Sequence, residues 1–450
     1  MEKSMKDIPV IKLFTVNGNY YVYDTYNNRI LNISKEQFTE IKRLESCGIE
    51  NYREKQTETA AYNDVILLLN KGYFRSDFIR RVCHPYTDYV DFLINRNVNE
   101  LVLQVTKDCN FKCRYCLFTR ENNIDRCHEK TEMPWEIAKK SIDILFSHSA
   151  DADSVSIAFY GGEPLLNFEL IQKVVAYAND IFQSKKIHYS MTINGSLLSQ
   201  EIIDFLIEQE IYVGISLDGP LAIQNKHRKF YNSGGDTFNI VYNNVCRLRQ
   251  TNPDYFNNHV TFQPVRMQDE DVKDIQNFFD DMDLLPNKVF IRAASTEGID
   301  YIYSGYELVN KEHPANLSDI EKMDSILANN NRFTDCWHHA GPCVPGVRKL
   351  FVDTNGYLYP CEKVLETSAN KIGDVFSGFN LMKIKEILNV GKLTENECKR
   401  CWASRFCSLC VVDCLHIEQD MLSKDKKKLG CRREKDKALA YIKDYVQRKG

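Results

Sequence analysis

Apolar and polar positions alternate with a period near two over residues 9–32, where VIKLFTV, NGN, YYVYDTY, NN and RILNI follow one another. That spacing predicts a three-stranded meander, with NGN and NN as its hairpin turns. The period then lengthens. SKEQFTEIKRL reads as a helix with Ser34 as its N-cap, and NDVILLLNKGYF (63–74) reads as a second helix ending near Gly72. Residues 1–75 are therefore expected to form a small α+β module, followed by a connector over 76–97. From residue 98 to 300, strand patterns alternate with helical ones. The strands are expected at 101–106, 154–160, 187–193, 212–217, 259–264 and 288–293, and the helices at 134–148, 167–184, 199–209, 237–250 and 269–282. Such alternation predicts an α/β fold: a parallel sheet with crossover helices, closing into a partial (β/α)6 TIM-like barrel. Chemistry in barrels of this kind sits on the loops after the strand C-termini. Residues 301–335 are polar and read as a bridging region, and 336–450 as a cysteine-rich C-terminal domain.

Composition narrows the function. The chain has 450 residues, 43% of them hydrophobic, enough for a sizeable core. A net charge of −4 from 58 basic and 62 acidic residues gives no footprint for nucleic acid. No apolar run reaches the roughly 18 residues of a membrane span. The opening MEKSMKDIPVIKLF lacks the apolar block of a signal peptide, so a cytoplasmic location is expected. Sixteen cysteines in such a chain point to metal ligation or catalysis rather than disulfides. Cys109, Cys113 and Cys116 form one group, and nine more lie between Cys336 and Cys431. Cys47, Cys83, Cys127 and Cys246 are scattered and read as small buried hydrophobes.

KDCNFKCRYC (107–116) follows the first barrel strand, where a functional loop belongs. A closed zinc site, or a four-iron cluster bound by protein alone, takes four ligands. Three cysteines at C-x3-C-x2-C leave one position open, which catalysis at a metal requires. Spacing alone does not separate iron–sulfur from zinc, and a zinc site completed by a distant ligand such as His128 is the alternative. FYGGEP (159–164) ends the second strand. Gly161 and Gly162 let backbone approach a ligand closely, and Glu163 can accept hydrogen bonds from an ammonium.

With Tyr115 before Cys116, the cysteine loop resembles that of the radical S-adenosylmethionine (SAM) superfamily, and GGEP resembles its SAM-binding strand end. The resemblance covers residues 98–300. It implies that Cys109, Cys113 and Cys116 hold a catalytic [4Fe-4S] cluster, and that Gly161, Gly162 and Glu163 meet the methionine amino group. TINGSLL and ISLDGP resemble the next two strand ends, which carries Asn194 and Ser216 to the SAM site. KHRKF places Arg228 where relatives often have an arginine. The implied chemistry is one-electron cleavage of SAM to a 5′-deoxyadenosyl radical that removes a hydrogen atom from an unactivated carbon.

The tail resembles the SPASM domain that follows many such barrels and carries two auxiliary four-iron clusters. FVDTNGYLYPCE (351–362) matches its first half. The resemblance implies a distal cluster on Cys398, Cys401, Cys407 and Cys431. It implies a proximal cluster on Cys343, Cys361 and either Cys410 or Cys414, because the spacing departs from the family pattern after Cys407. Cys336 is expected as the fourth proximal ligand; without it, one iron stays open to a substrate thiolate. Residues 1–75 resemble the small winged-helix-like element that captures a leader peptide by strand addition. The expected protein is thus a peptide maturase forming thioether cross-links of the sactipeptide or ranthipeptide type. Its cofactors would be SAM and three [4Fe-4S] clusters. Its partners would be a precursor peptide with an N-terminal leader and a reductase, flavodoxin or ferredoxin electron donor. Sulfatase maturation to formylglycine, disfavoured by the long N-terminal region, and carbon–carbon cross-linking are rival activities. A zinc-stabilised binding protein is the rival of another class.

Overall fold

The computed structural model describes residues 7–54, 59–116, 128–267, 271–282, 289–293, 307–308, 336–339 and 343–449. Cys127 and nearly all of the 301–335 bridging region lie outside them. The chain divides into two compact units, one drawn from residues 1–89, 316–343 and 385–450 and the other from 90–315 and 344–384. Residues 336–450, expected as one domain, are thus shared between the two units.

In the first unit, β1 (Ile11–Val16), β2 (Asn19–Asp24) and β3 (Arg29–Ile33) form the expected antiparallel meander. Asn17 and Gly18 both take positive φ (50° and 81°), which suits a tight two-residue hairpin. Ser34 caps α1 (Lys35–Cys47) in a reciprocal capping box with Gln37. A short α2 (Ile49–Glu54) follows, and α3 (Ala60–Asn70) starts earlier than the sequence suggests because Thr59 caps it. The two-residue period sends alternate side chains to opposite faces. Ile11 and Val22 join Ile41, Leu44, Tyr52 and Val65 in a helix-side core. Phe14, Val16 and Tyr23 face the other way and pack against Ile442 and Val446 of the C-terminal helix Lys424–Lys449. The cysteine-rich run shares this unit: Phe406 lies 5.3 Å from Tyr23 ring to ring, and Thr25 donates to the Trp402 carbonyl. The connector carries regular structure of its own. It contains β4 (Arg81–Val82), which pairs in parallel with β15 (Cys336–Trp337).

The second unit begins at α4 (Val90–Arg96). Its main strands are β5 (Glu100–Thr106), β7 (Ser154–Gly161), β8 (Lys186–Ile193), β9 (Tyr212–Ile215) and β11 (Val260–Phe262). They lie side by side in the order β11-β9-β8-β7-β5, all parallel. The crossovers include α5 (Trp135–His148), α6 (Phe168–Ile181), α7 (Gln200–Glu208), α8 (Leu221–His227), α9 (Phe238–Thr251) and α10 (Pro253–His259). Alternate burial along β7 sorts its faces: Val155, Ile157 and Phe159 are buried, while Ser156, Ala158 and Tyr160 are only partly so. Past β11, a small sheet of β12 (Val265–Arg266), β13 (Phe290–Ala293) and β14 (Glu307–Leu308) continues through a parallel bridge from Phe262 to Val289, with α11 (Asp271–Asp281) between. On the other edge, β16 (Leu350–Val352) pairs in parallel with β5, so the hairpin to β17 (Tyr357–Tyr359) extends the barrel sheet. Strands β18 (Gly373–Asp374) and β19 (Gly378–Phe379) complete that edge.

Candidate active site

The cysteine loop leaves β5 and immediately forms β6 (Phe111–Cys113). This strand pairs antiparallel with β10 (Arg228–Phe230), in a register that sets Arg228 opposite Cys113. Three-residue strands with a distant partner leave no periodicity in the sequence, so this ribbon was not foreseen. It explains why Arg228, which a sequence reading could place on a solvated surface, is 5% exposed. Its Nη1 lies 3.8 Å from Cys113 Sγ, its Nε 3.0 Å from Asp218 Oδ2, and its guanidinium carbon 5.3 Å from the Tyr115 ring centre.

Asp218 closes the arrangement. It is fully buried, accepts the Tyr115 hydroxyl at 2.6 Å and accepts the Val265 N–H through its other oxygen. Burial alone would depress the Arg228 pKa, but Asp218, Tyr115 and Cys113 hold it well above the ordinary value. Burial pushes the Cys113 thiol up to about 12 against the pull of Arg228. Burial also raises Cys109, and the charges of Glu163, Cys113 and Cys116 add to it, which shows that the three thiols share one locality. Among the described residues, no three His, Cys, Asp or Glu side chains converge on the position of one ion. Thiols that serve a four-iron cluster each bind a different iron.

The GGEP strand end is built against the cysteine loop. A Cβ on Gly162 would sit 2.3 Å from the Asp108 carbonyl oxygen and 2.9 Å from Cys109 Cβ, and Gly161 takes φ 151°. Only glycine permits so close a crossing. Gly162 and Glu163 donate their N–H groups to the Thr106 and Asp108 carbonyls. The Glu163 carboxylate, 1% exposed, accepts the Leu165 N–H through Oε1 and the Asn194 N–H at 2.7 Å through Oε2. Burial raises its pKa to about 7 against those lowering bonds. The Asn194 side chain donates to Asn110 Oδ1 at 2.7 Å and accepts from Ser196, whose hydroxyl also accepts from Asn110. This ring joins the cysteine loop to the end of β8. Ser216, half-buried, follows β9. Asn110, Ser196 and Asp218 were missed from sequence, where each reads as an ordinary turn residue.

In the first unit, the predicted tail ligands sort into groups. Cys401 feels the charges of Cys398 and Cys431, and Cys407 those of Cys401 and Cys431, so these four lie together. Lys427, 1% exposed, reaches Cys398 Sγ at 3.4 Å. Cys410 accepts the Asp413 N–H on its sulfur, and the buried Cys414 donates to the Cys410 carbonyl. Cys343 is exposed; Cys361, half-buried, stands in the second unit. One reading needs correction. Cys83 is not a core filler: its sulfur meets that of Cys336, the residue expected as the fourth proximal ligand, with the Cα atoms 5.5 Å apart.

Residues 103–282 match the Radical SAM superfamily model. The chain is similar to the radical SAM cyclopropyl synthase TigE of Paramaledivibacter caminithermalis, 26% identical over 59% of this chain and 55% of that protein. It is also similar to a cysteine-type anaerobic sulfatase-maturating enzyme of Clostridium perfringens, 24% identical over 68% of this chain and 86% of that enzyme. The chain spans about half the length of the first curated relatives it matches, 46% and 55%. Its fold is that of native anSMEcpe solved with bound AdoMet and Cp18Cys peptide, at a TM-score of 0.51 and 22% identity, covering 78% of this chain and 99% of that one.

Proposed function

From the premise that this chain carries a radical SAM domain, and so belongs among the enzymes of that superfamily, we propose that it matures a ribosomally made, cysteine-rich peptide by joining cysteine sulfur to carbon. The family uses SAM and a four-iron cluster, which when bound supply the one-electron chemistry that removes hydrogen from an unactivated carbon. The residues present fit those groups. Cys109, Cys113 and Cys116, whose thiols are neighbours, would hold the cluster. The Gly161–Gly162 crossing brings the SAM-binding turn onto the same loop. Arg228 sets a buried positive charge beside Cys113, which favours thiolate. Asp218 holds Arg228 and Tyr115 in place, and Glu163 clasps the GGEP turn to Asn194. Glu163 and Asn194 thereby orient backbone toward SAM, alongside Ser216.

The observation that carries the peptide reading is the single unit joining a β-meander with helices to a cysteine-rich tail. The meander offers outer strands, β1 and β3, to which an extended leader could add. The grouping of Cys398, Cys401, Cys407 and Cys431 supports an auxiliary [4Fe-4S] cluster on those four thiols, the distal one of the two expected in such a tail. A flavodoxin- or ferredoxin-type donor would supply electrons in the cytoplasm. Formylglycine formation is the second reading, favoured by the alignment across 86% of the sulfatase-maturating relative.

Incubation with the peptide of a neighbouring short cysteine-rich reading frame separates the two. Thioether formation removes two hydrogens per bond and leaves a cysteine that no longer alkylates; formylglycine removes the sulfur altogether. Cys113→Ala should abolish SAM cleavage, and cleavage retained with peptide present would refute the mechanism.

A further inference from the structure

Lys427 is 1% exposed, in the first turn of the C-terminal helix. A buried ammonium is costly unless an opposite charge sits beside it, and the first turn of a helix disfavours a cation further. Its neighbours Lys424 and Lys428 both pair with Glu397, at 3.3 and 3.4 Å. Lys427 pairs with no carboxylate among the described residues. What it meets is sulfur. Its Nζ donates to Cys398 Sγ at 3.4 Å and to the Thr394 hydroxyl oxygen. Thr394, equally buried, lies 3.3 Å from the same sulfur, and with its oxygen accepting from Lys427 its O–H can donate there. Two donors on one sulfur favour the thiolate.

The backbone pins the other three thiols around this point. Cys401 closes a turn on Cys398, donating its N–H to the Cys398 carbonyl. Cys431 follows Lys427 by four residues and so shares its face of the helix. Ser408, next to Cys407, donates both its N–H and its hydroxyl to Glu434, three residues past Cys431. Burial raises the Cys431 thiol, and Lys427 pulls against it. Among the described residues no three ligand side chains converge on the position of one ion, so four thiols this near one another fit the separate irons of a cluster better than a single zinc ion. We infer that Lys427 is the fixed counter-ion of that centre, and that its charge and its N–H···S bond hold the centre's reduction potential up. Reduction adds one electron, and so one negative charge, with no bond made or broken. A buried cation on a ligand sulfur favours that reduced form. The electron comes from the flavodoxin- or ferredoxin-type donor. The inference rests on the reading of Cys398, Cys401, Cys407 and Cys431 as cluster ligands.

The test uses the full chain, purified without oxygen and titrated with dithionite under EPR. Cys398→Ala should lose about four irons and one reduced-state signal, which identifies the signal of this centre. Lys427→Met should keep that signal but lower its midpoint by at least about 59 mV, a tenfold shift in the one-electron equilibrium constant. Lys427→Arg keeps the charge and should stay near wild type. In wild type made with lysine labelled with nitrogen-15, the same signal should carry a nitrogen-15 coupling in pulsed EPR. That measurement needs no variant, so it decides the case even where Lys427→Met assembles no cluster. An unchanged midpoint in Lys427→Met, a midpoint in Lys427→Arg as low as in Lys427→Met, or no nitrogen-15 coupling overturns the role of Lys427 and leaves the cluster standing. Loss of zinc rather than iron in Cys398→Ala, or of neither, would remove the cluster and the inference together.

Discussion

Asp218 and Arg228 form an ion pair with side chains 0% and 7% exposed, so neither charge has water to fall back on. Removing one partner of such a pair destabilises by about 3–5 kcal/mol, because the other is left buried and unpaired. Asp218→Asn should therefore lower the unfolding midpoint sharply, and adding Arg228→Gln should restore part of it. A double variant less stable than Asp218→Asn would contradict the pairing. Asp353 offers a pH test away from the thiols. Burial raises its pKa from 3.8 to about 6, although the Tyr357 and Asn355 N–H groups on its Oδ1 pull the other way. The folded state thus binds the proton more tightly than the unfolded state, and its stability falls as pH rises from about 4 to 6. Asp353→Asn mimics the protonated form. It should raise the melting temperature at pH 7.5, by an amount that shrinks toward pH 5. The groups of neighbouring thiols were legible in the sequence because their spacing is local. Asp218, Asn110 and Cys83 were not, because their partners lie far along the chain and nothing in their immediate neighbours marks them.

At the scale of elements, the two-residue and helical periods located the meander and the parallel strands β5, β7 and β8 within a residue or so. These segments bury one face each, and burial is what writes a period into a sequence. The β6–β10 ribbon and the β4–β15 pair carry two or three residues per strand, too few for any period, and their meaning lies in register. The close crossing of β7 over the cysteine loop depends on the missing side chain of Gly162. In Gly162→Ala the added methyl meets backbone at Asp108, which cannot swing aside as a side-chain tip would. The strand end must then lift from the loop. The variant should purify with about four fewer irons and bind SAM at least tenfold more weakly, while any iron held by the proposed tail cluster is retained. Wild-type SAM affinity by calorimetry would show that the contact is dispensable.

Across the whole molecule, the two ends of the sequence belong to one unit. The N-terminal meander has its own helix-side core, but its second face is completed by the C-terminal helix, where Ile442 is fully buried against Phe14 and Tyr23. A bead-like recognition domain at the end of a linker would have no such second core. The meander should therefore respond to a change more than 400 residues away in sequence. Ile442→Ala removes buried methyl and methylene groups at a cost of about 2–5 kcal/mol, part of it from the cavity left behind. The loss should be felt on the sheet face that Phe14 and Tyr23 share, so amide exchange in β1 and β2 should quicken while α1 and α3, packed on the opposite core, are less affected. If a leader peptide adds to an outer strand of this meander, the same variant should weaken leader binding without altering SAM cleavage in the absence of peptide. Equal exchange in β1 and β2 of both proteins would mean that the meander stands alone, and the C-terminal helix would then be only a tether for the last cysteine.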